Sequence, residues 1–309
     1  MKTILVTGCA GFIASHLCER LLCSNTVVGI DNFSMGSVEN MSAFIKNPDF
    51  TFYQADITNY RHFGDIFKNH HFDTIFHLAA NSDLSKGKPD IDARDTFATT
   101  YAVLEQCREH SIRELVFASS SAIYGEVRRW IDEDFGPLFP VGHYGAAKLS
   151  SEAWISSFSS MYNFKAWICR FPNVIGEHAT HGAILDFINK IRRDPEVLEV
   201  LGDGNQTKPY MYVKEVVDAV IYIWENSGDR INYFNIAGEG STSVRQIAEM
   251  VVREMGTKTK ITYQKSDRGW PGDVPIYKFI NIKLSELGWF SKLTSDQAVE
   301  LAIRKILGS

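Results

Sequence analysis

The sequence predicts an α/β fold, a doubly wound parallel sheet with a smaller, discontinuous C-terminal domain. Short, continuous apolar runs alternate with helix-compatible segments through the first half of the chain. This alternation is typical of parallel strands that are covered by helices on both faces. The chain also has 309 residues, which is too long for one minimal core.

Composition and charge exclude several partners. Hydrophobic residues make up 45% of the chain and charged residues 22%, as in soluble globular proteins. The net charge of −5 and the lack of a long basic run predict no nucleic-acid partner. The apolar runs are too short for a bilayer, so no membrane partner is expected. The N-terminus lacks a signal-peptide pattern and the five cysteines form no CxxC pair, which predicts a cytoplasmic protein without a metal site.

Each element is predicted from its own pattern. Apolar, often β-branched runs predict strands over residues 3–7, 26–30, 51–54, 74–77, 114–119 and 166–171. Helical patterns follow over residues 12–22, 92–110, 144–162, 214–225, 243–255 and 295–307. A strand over 233–237 is expected to return to the main sheet. The predicted domains are 1–172 with 209–237, and 173–208 with 238–309.

A glycine-rich turn joins the first strand to the first helix. Gly8 permits a tight turn, and Gly11 lets the backbone approach a phosphate group. The amides at the start of the following helix then face the anion. Glycines also form ordinary turns, but this position favours binding of the pyrophosphate of a dinucleotide.

An acidic residue ends the second predicted strand. Asp31 follows Gly11 by twenty residues. A carboxylate at this place accepts hydrogen bonds from the adenosine ribose and repels a 2′-phosphate, which favours NAD over NADP. The alternative is an exposed aspartate in a turn. Asp56, after the third strand, is a further candidate near the adenine.

A tyrosine and a lysine share one face of a predicted helix. Tyr144 and Lys148 are four residues apart, so their side chains are about 6 Å from each other. A lysine ammonium lowers the pKa of a neighbouring phenol, which can then take a proton from a hydroxyl group. The serines at 119–121 end the fifth strand, where side chains point into the ligand crevice. Taken alone, these patterns also fit a helix surface and a loop whose serines bind the backbone.

Several ordered motifs cover nearly the whole chain. They are Thr7-Gly8-x-x-Gly11-Phe12-Ile13, Asp31-Asn32-Phe33-Ser34, His77-Leu78-Ala79-Ala80, residues 119–125, Tyr144 to Lys148, Arg170-Phe171-x-Asn173-x-x-Gly176, Gly202-Asp203-Gly204-x-Gln206, Tyr212-Val213 and Leu287-Gly288-Trp289. Together they resemble the extended short-chain dehydrogenase/reductases, and within them the NAD-dependent nucleotide-sugar epimerases and dehydratases, of the UDP-glucose 4-epimerase type. The resemblance implies a Rossmann fold, NAD as cofactor, and a homodimer that pairs through the helices at 92–110 and 144–162.

The resemblance also implies the roles of individual residues. Tyr144 would be the general base, Lys148 would hold the nicotinamide ribose, and Ser120 would complete a catalytic triad. Cofactor binding would involve Gly8, Gly11, Phe12, Ile13, Asp31, Asn32, Asp56, Ile57, Leu78, Ala79 and Ala80, with Tyr144 and Lys148. Substrate binding would involve Ser82, Ser120, Ser121, Asn173, Gln206, Tyr210, Arg268 and Asp273.

Three positions depart from the family pattern. Lys208-Pro209 stands where the family often has Arg-Asp, so a point charge replaces a bidentate phosphate contact. Trp270 stands where many epimerases carry an arginine, which leaves Arg268 as the candidate substitute. His143, before Tyr144, is interpreted as a helix-start residue rather than a substrate group.

The residues after Ser120 favour one reaction. Family dehydratases place Asp-Glu, or at least Glu, where this chain has Ser121 and Ala122. Elimination would lack its acid and base, which predicts a nucleotide-diphosphate-sugar epimerase of carbohydrate biosynthesis. It would act at C4 through a transient 4-keto sugar, on a UDP-sugar by preference. Two alternatives stay open: a 4,6-dehydratase or related eliminating enzyme, and a non-catalytic dinucleotide-sensing protein on the same fold.

Overall fold

A computed structural model describes residues 1–82, 88–127, 129–269 and 274–308. The chain divides into two compact units. Unit 1 comprises Met1–Ile123, Pro140–Arg170 and Val217–Phe234. Unit 2 comprises Tyr124–Phe139, Phe171–Val216 and Asn235–Ser309. Within the described ranges, no helix combines the length and the apolar character that a membrane crossing requires.

The strands and helices follow the predicted alternation. The strands are β1 (Thr3–Thr7), β2 (Thr26–Asp31), β3 (Phe50–Gln54), β4 (Thr74–His77), β5 (Glu114–Ser120), β6 (Trp130–Ile131), β7 (Lys165–Phe171), β8 (Asn173–Ile175), β9 (Val197–Val200), β10 (Thr207–Lys208), β11 (Tyr210–Tyr212), β12 (Ile231–Asn235), β13 (Thr242–Ser243), β14 (Lys260–Tyr263) and β15 (Lys278–Phe279). The helices are α1 (Phe12–Leu21), α2 (Tyr60–Asn69), α3 (Pro89–Asp92), α4 (Thr99–Glu109), α5 (His143–Tyr162), α6 (Ala183–Arg193), α7 (Val213–Asn226), α8 (Val244–Glu254), α9 (Ile282–Glu286) and α10 (Ser295–Leu307).

Unit 1 is built on a seven-stranded sheet of order β12-β7-β5-β4-β1-β2-β3. β1 pairs in parallel with both β2 and β4, so that Thr7 lies opposite Ile30 and His77. The pairs β2–β3 and β4–β5 are parallel as well. Chain order therefore runs in opposite directions on the two sides of β1, and ligands of such sheets bind at the carboxyl ends of the strands around this switch point. The predicted doubly wound sheet is confirmed.

The core of unit 1 explains why its strands are continuously apolar. Ile4, Leu5 and Val6 of β1 are each 0% exposed, so both faces of the strand are covered. Helix α2 contributes Phe63 and Ile66 to the same core. Full burial of one such side chain stabilises the fold by about 1.5–3 kcal/mol.

The two long predicted helices differ in regularity. The helix predicted over 144–162 is α5, and it is α-helical throughout. The range predicted as a helix over 92–110 begins at the last residue of α3 and includes a π-helical stretch at Ala93–Ala98, followed by α4. Such π-helical turns are rare and occur frequently at functional sites.

Unit 2 is built from short strand pairs and helices. β8 pairs in parallel with β11, and β9 with β14. Helices α8 and α10 both begin with a capping box, formed by Ser243 with Gln246 and by Thr294 with Gln297. Each cap stabilises its helix by about 1 kcal/mol.

The units depart from the predicted domains in two longer segments, 124–139 and 209–216, and in two short boundary segments, 171–172 and 235–237. The pairing of β6 with β15 places Tyr124–Phe139 in unit 2, whereas the prediction joins it to the first domain. The pairing of β11 with β8 likewise places residues 209–216 in unit 2. Both corrections come from backbone pairing between distant segments, which local composition does not report. The strand predicted at 233–237 occurs as β12, which joins the main sheet beside β7 as expected.

Candidate active site

The turn after β1 passes very close to the end of β4. Gly8 has a φ of +73°, and a Cβ atom there would lie 2.9 Å from the Cα and N atoms of Ala79. Glycine fits this approach without a shift of the backbone. Gly11 is the N-cap residue of α1, and no side chain caps this helix end. The first amides of α1 therefore remain able to bind an anion.

The carboxylate of Asp31 lies at the end of β2 and is held by backbone amides. It accepts hydrogen bonds from the Ala10 N–H at 3.0 Å and from the Phe33 N–H at 2.7 Å. Burial raises the pKa of Asp31, although these hydrogen bonds act in the opposite direction. Asp31 is 7% exposed, so it is a buried carboxylate and not the exposed turn residue of the alternative interpretation.

Asn32 connects this region to the loop after β3. Its Nδ2 atom donates to Asp56 Oδ2 at 3.4 Å. Burial opposes ionisation of Asp56, but hydrogen bonds from Thr58 and Asn32 outweigh it and lower the Asp56 pKa. The two predicted adenosine-side carboxylates therefore lie at the ends of neighbouring strands, β2 and β3.

A buried hydrogen-bond chain fixes the end of β4 against the glycine-rich turn. Thr7 Oγ1 accepts from the Ala79 N–H at 3.3 Å, and the Thr7 carbonyl accepts from the Leu78 N–H at 3.3 Å. The Thr7 hydroxyl also shares a 2.7 Å hydrogen bond with His77 Nδ1. His77 Nε2 shares another, of 3.1 Å, with Thr100 Oγ1 on α4. Side chains from β1, β4 and α4 thus form one hydrogen-bond chain that ends on the backbone after β4.

These features fit a dinucleotide. The pyrophosphate requires a glycine-rich turn and an uncapped helix N-terminus, and the adenosine ribose requires a carboxylate after β2. The other predicted cofactor residues surround them. Phe12 and Ile13 lie in the first turn of α1, Ile57 is buried after β3, and Ala80 is partly buried after β4.

Ser120, Tyr144 and Lys148 come together in unit 1. Tyr144 and Lys148 lie one turn apart on α5, with the Lys148 Nζ atom 5.7 Å from the centre of the Tyr144 ring. The partly buried Tyr144 phenol is hydrogen-bonded to the Ser120 side chain at the end of β5. Lys148 Nζ donates to the carbonyl oxygen of Ala118 at 2.6 Å. One strand and one helix thus assemble the predicted triad.

Burial dominates the electrostatics of this group. It raises the pKa of Tyr144 to about 12; the Ser120 hydrogen bond opposes this shift and the charge of Asp92 adds to it. Burial also lowers the pKa of Lys148 to about 7, against the favourable charge of Glu152. The prediction that the lysine lowers the tyrosine pKa is therefore wrong for the protein chain alone, because both buried groups favour their neutral forms. A cationic ring bound beside the phenol would act in the opposite direction.

The start of α5 packs tightly on the turn after β5. A Cβ atom at Gly145 would lie 2.5 Å from the Ala122 carbonyl oxygen, so glycine allows the helix to approach. Ser121, predicted to bind substrate, begins the 3₁₀ turn at this contact. The contact sets the separation between the strand that carries Ser120 and the helix that carries Tyr144.

Sequence reasoning missed a buried ion pair one turn further along α5. The Glu152 carboxylate accepts hydrogen bonds from Arg170 Nε at 3.1 Å and from Arg170 Nη2 at 2.8 Å. Ser119 Oγ donates a third, at 2.5 Å. The available signal was the spacing of Tyr144, Lys148 and Glu152, which puts all three on one helix face.

A second missed carboxylate lies near the phenol. Asp92, at the end of α3, is 3% exposed and accepts a 2.9 Å hydrogen bond from Asn81 Nδ2. Its charge acts on Tyr144. Ser82, predicted to bind substrate, follows Asn81 and is exposed. No local pattern distinguishes Asp92 from a solvated helix residue.

Two predicted substrate residues, Asn173 and Tyr210, form hydrogen bonds with other residues of unit 2. Asn173 Nδ2 donates to Tyr277 Oη at 3.0 Å. The Tyr210 N–H donates to Ser295 Oγ at 3.1 Å. Asn173 and Tyr210 are the first residues of β8 and β11, and they lie opposite each other in this strand pair. Backbone pairing therefore brings these two predicted residues together.

Gln206 and Arg268 are the other predicted substrate residues described in unit 2. Gln206 is 3% exposed, and neither polar atom of its side chain has a hydrogen-bond partner within the described chain. A Cβ atom at Gly202 would overlap the Gln206 amide and would lie 3.3 Å from the Arg268 carbonyl oxygen. The Arg268 guanidinium pairs with Glu126 at 2.8 Å. Asp273 and Trp270 lie outside the described residues.

A doubly wound dinucleotide-binding sheet with a Ser-Tyr-Lys group defines the class of the short-chain dehydrogenase/reductases. The chain belongs to the NAD dependent epimerase/dehydratase family, whose model matches residues 4–237. The predicted family, the Rossmann fold, the NAD cofactor and the enzymatic character are thereby confirmed.

Relatives extend over the whole chain. A Methanocaldococcus jannaschii protein, named provisionally as a UDP-glucose 4-epimerase, is 30% identical over 97% of both chains. The Thermotoga maritima UDP-glucose 4-epimerase, solved with UDP-glucose, is 29% identical and matches over 99% of both chains with a TM-score of 0.89. The Thermus thermophilus UDP-glucose 4-epimerase, solved with NAD, is 26% identical and matches over 99% of both chains with a TM-score of 0.88.

Proposed function

We propose that this protein is an NAD-dependent nucleotide-diphosphate-sugar epimerase that inverts the configuration at C4 of the sugar. The observation that carries the proposal is the convergence of Ser120, Tyr144 and Lys148 within the unit that also holds the dinucleotide turn. The names of the relatives, UDP-glucose 4-epimerases among them, support the same reaction.

Tyr144, Ser120 and Lys148 have separate roles in the proposed reaction. Tyr144 takes the proton of the C4 hydroxyl and later returns it, with Ser120 hydrogen-bonded to the phenol. Lys148 holds the nicotinamide ribose and keeps a positive charge near the phenol. Bound NAD would supply a reversible hydride acceptor at C4. The 4-keto sugar then turns about its diphosphate link, so inversion depends on how the protein positions the two faces of the sugar.

A UDP-sugar is the favoured substrate. In unit 2 we assign the nucleotide and the diphosphate to Asn173, Gln206, Tyr210, Arg268 and Asp273. The unpaired, buried amide of Gln206 supports a polar ligand at that position. Ser82 and Ser121 are assigned to the sugar. As a consumer of nucleotide sugars, the enzyme would work in the cytoplasm, in carbohydrate biosynthesis.

Elimination is the second candidate reaction, and one observation favours it. Asp92 is a buried carboxylate whose charge reaches Tyr144, so a carboxylate is present near the phenol although Ser121 and Ala122 follow Ser120. Epimerisation remains preferred, because Asp92 is hydrogen-bonded to Asn81 and a dehydratase needs both an acid and a base.

A homodimer is proposed from the outer face of α4 and α5. Tyr101 and Trp154 are 41% and 43% exposed, and their rings are 5.3 Å apart. Ring contacts through Phe158 extend this apolar surface from Trp154 to the exposed Tyr162. Such a patch marks a protein interface, and a second copy of the same helix pair would cover it. Sedimentation of the protein and of Trp154→Glu tests this: a dimer that dissociates in the variant supports it, and a monomeric unmodified protein contradicts it.

The reaction is tested with a panel of UDP-, GDP- and dTDP-sugars, separated by chromatography and weighed by mass spectrometry. Epimerisation gives a new peak of unchanged mass, whereas elimination gives a product lighter by one water. The expected result is an isomer of a UDP-sugar, formed without added NAD beyond a catalytic amount. No product from any sugar, despite NAD binding, would leave the dinucleotide-sensing alternative.

A further inference from the structure

The ion pair of Glu152 with Arg170 lies outside the group assigned to the sugar. We propose that Glu152 is a positioning residue, whose fixed carboxylate keeps the neighbouring Lys148 positively charged and in place on α5. This inference deepens the proposed function, since it rests on Lys148 holding the NAD ribose.

The ammonium of Lys148 has mostly uncharged surroundings. Lys148 is 2% exposed, and its Nζ atom donates to the neutral Ala118 carbonyl at 2.6 Å. The same atom lies 4.7 Å from the centre of the Phe117 ring. A carbonyl and an aromatic face do not offset the loss of water around a buried cation, so the lysine needs an opposite charge to stay protonated.

Glu152 is placed and fixed to supply that charge. It follows Lys148 by one helical turn, on the same face of α5. Two hydrogen bonds from Arg170 and one from Ser119 hold its carboxylate in one orientation. The carboxylate of Glu152 acts on Lys148 in the direction that favours the ammonium.

The other charged or titratable groups around Lys148 do not replace it. They are Tyr144 on α5 and His77 on β4, with Asp92 of α3 acting on Tyr144 and Arg170 of β7 paired with Glu152. His77 is neutral, because burial and the Lys148 charge lower its pKa to about 3. In the protein chain alone, burial keeps Tyr144 neutral at ordinary pH, and the charge of Asp92 acts on Tyr144. Arg170 carries the same sign as Lys148.

The test measures NAD binding rather than turnover. Calorimetry gives the NAD dissociation constant of the unmodified protein and of Glu152→Gln across a range of pH. Because NAD binding is expected to require the Lys148 cation, affinity should weaken as pH rises through its titration. In Glu152→Gln the midpoint of this fall should move to lower pH by about one unit, which makes binding about tenfold weaker above it. Glu109→Gln, the same change on the surface of α4, should leave the midpoint in place.

A folded Glu152→Gln protein with an unmoved midpoint would overturn the inference. Equal weakening at every pH would also overturn it, because that is the result of a purely structural role. If the unmodified protein failed to bind NAD at any pH, the proposed function would be contradicted. The inference about Glu152, which rests on that function, would then be contradicted as well.

A second variant covers the case in which Glu152→Gln does not fold. That change removes the carboxylate that accepts two hydrogen bonds from the buried Arg170 guanidinium, which is destabilising. The double variant Glu152→Gln with Arg170→Met removes both charges of the pair while retaining their approximate volumes. A midpoint shifted to lower pH in the double variant supports the inference, and a midpoint equal to that of the unmodified protein refutes it.

Discussion

The Lys148 ammonium donates a 2.6 Å hydrogen bond to the carbonyl oxygen of Ala118. Ala118 is followed on β5 by Ser119, which binds Glu152, and by Ser120, which binds Tyr144. Three consecutive residues of one strand therefore contact three residues spaced at four on one helix. This register places the phenol and the ammonium at the carboxyl end of the sheet, where ligands bind.

Replacement of Tyr144 by Phe should remove most epimerase activity. The phenol is the proposed proton acceptor, and loss of a general base lowers turnover by about 10²–10⁴-fold. NAD binding should persist, since the glycine-rich turn and Asp31 are untouched. Turnover and the NAD dissociation constant are measured for Tyr144→Phe beside Tyr162→Phe, the same change at the far end of α5. Activity of Tyr144→Phe at the level of this control would end the proposed mechanism.

Replacement of Asp31 by Asn should weaken the preference for NAD over NADP. The Ala10 and Phe33 N–H groups donate to different oxygens of Asp31, so the asparagine amide keeps an acceptor for only one of them. It also loses the negative charge that repels a 2′-phosphate. The loss of a hydrogen bond to a charged group costs about 1.5–3 kcal/mol, so NAD should bind at least about tenfold more weakly. Calorimetry with both dinucleotides measures this change. An unaltered ratio of the two affinities would show that Asp31 does not face the ribose.

Replacement of Gly8 by Ala should be more damaging than the same change at another glycine of similar φ. Gly240 has a φ of +81° and open space around its Cβ position, whereas a Cβ atom at Gly8 meets the Ala79 backbone at 2.9 Å. Gly240→Ala should cost about 1–2 kcal/mol of stability, from backbone strain alone. Gly8→Ala should cost more and should also weaken NAD binding. Thermal melting and NAD titration of the two variants compare them, and equal losses would rule out the close approach.

The buried imidazole of His77 should make the protein less stable in mild acid. Its pKa is lowered to about 3 by burial and by the Lys148 charge, from an ordinary value of 6.5. Below about pH 6.5 the imidazole is protonated in the unfolded chain but stays neutral in the folded chain. The free energy of unfolding therefore falls as the pH decreases toward 3, and the full stability is present above pH 6.5.

This prediction is checked by chemical denaturation between about pH 7 and pH 5, a range above the titration of ordinary carboxylates. His77→Gln should flatten the decline of unfolding free energy over that range, whatever its stability at neutral pH. His62→Gln, at an exposed position on α2, should keep the slope of the unmodified protein. An equal slope in all three proteins would be evidence against a neutral buried His77.

The strands of the main sheet could be predicted because parallel strands covered on both faces are continuously apolar, as in β1 and β5. The glycine-rich turn and the spacing of Tyr144 and Lys148 could also be identified from the sequence, since each is a local pattern. The pairing of β6 with β15 was not, because it joins residues nearly 150 positions apart through backbone hydrogen bonds. The π-helical stretch before α4 likewise leaves no composition signal.

The sequence by itself determined the doubly wound sheet and the position of the glycine-rich turn, because these depend on periodicity and short-range spacing. The family resemblance, rather than spacing alone, predicted the group of Ser120, Tyr144 and Lys148. Only the tertiary structure decided the charge states around that group. Burial raises the Tyr144 pKa and lowers that of Lys148, while Arg170, on a different strand, fixes the carboxylate beside the lysine. Desolvation and long-range ion pairing depend on which segments meet in three dimensions, and no stretch of sequence contains that information.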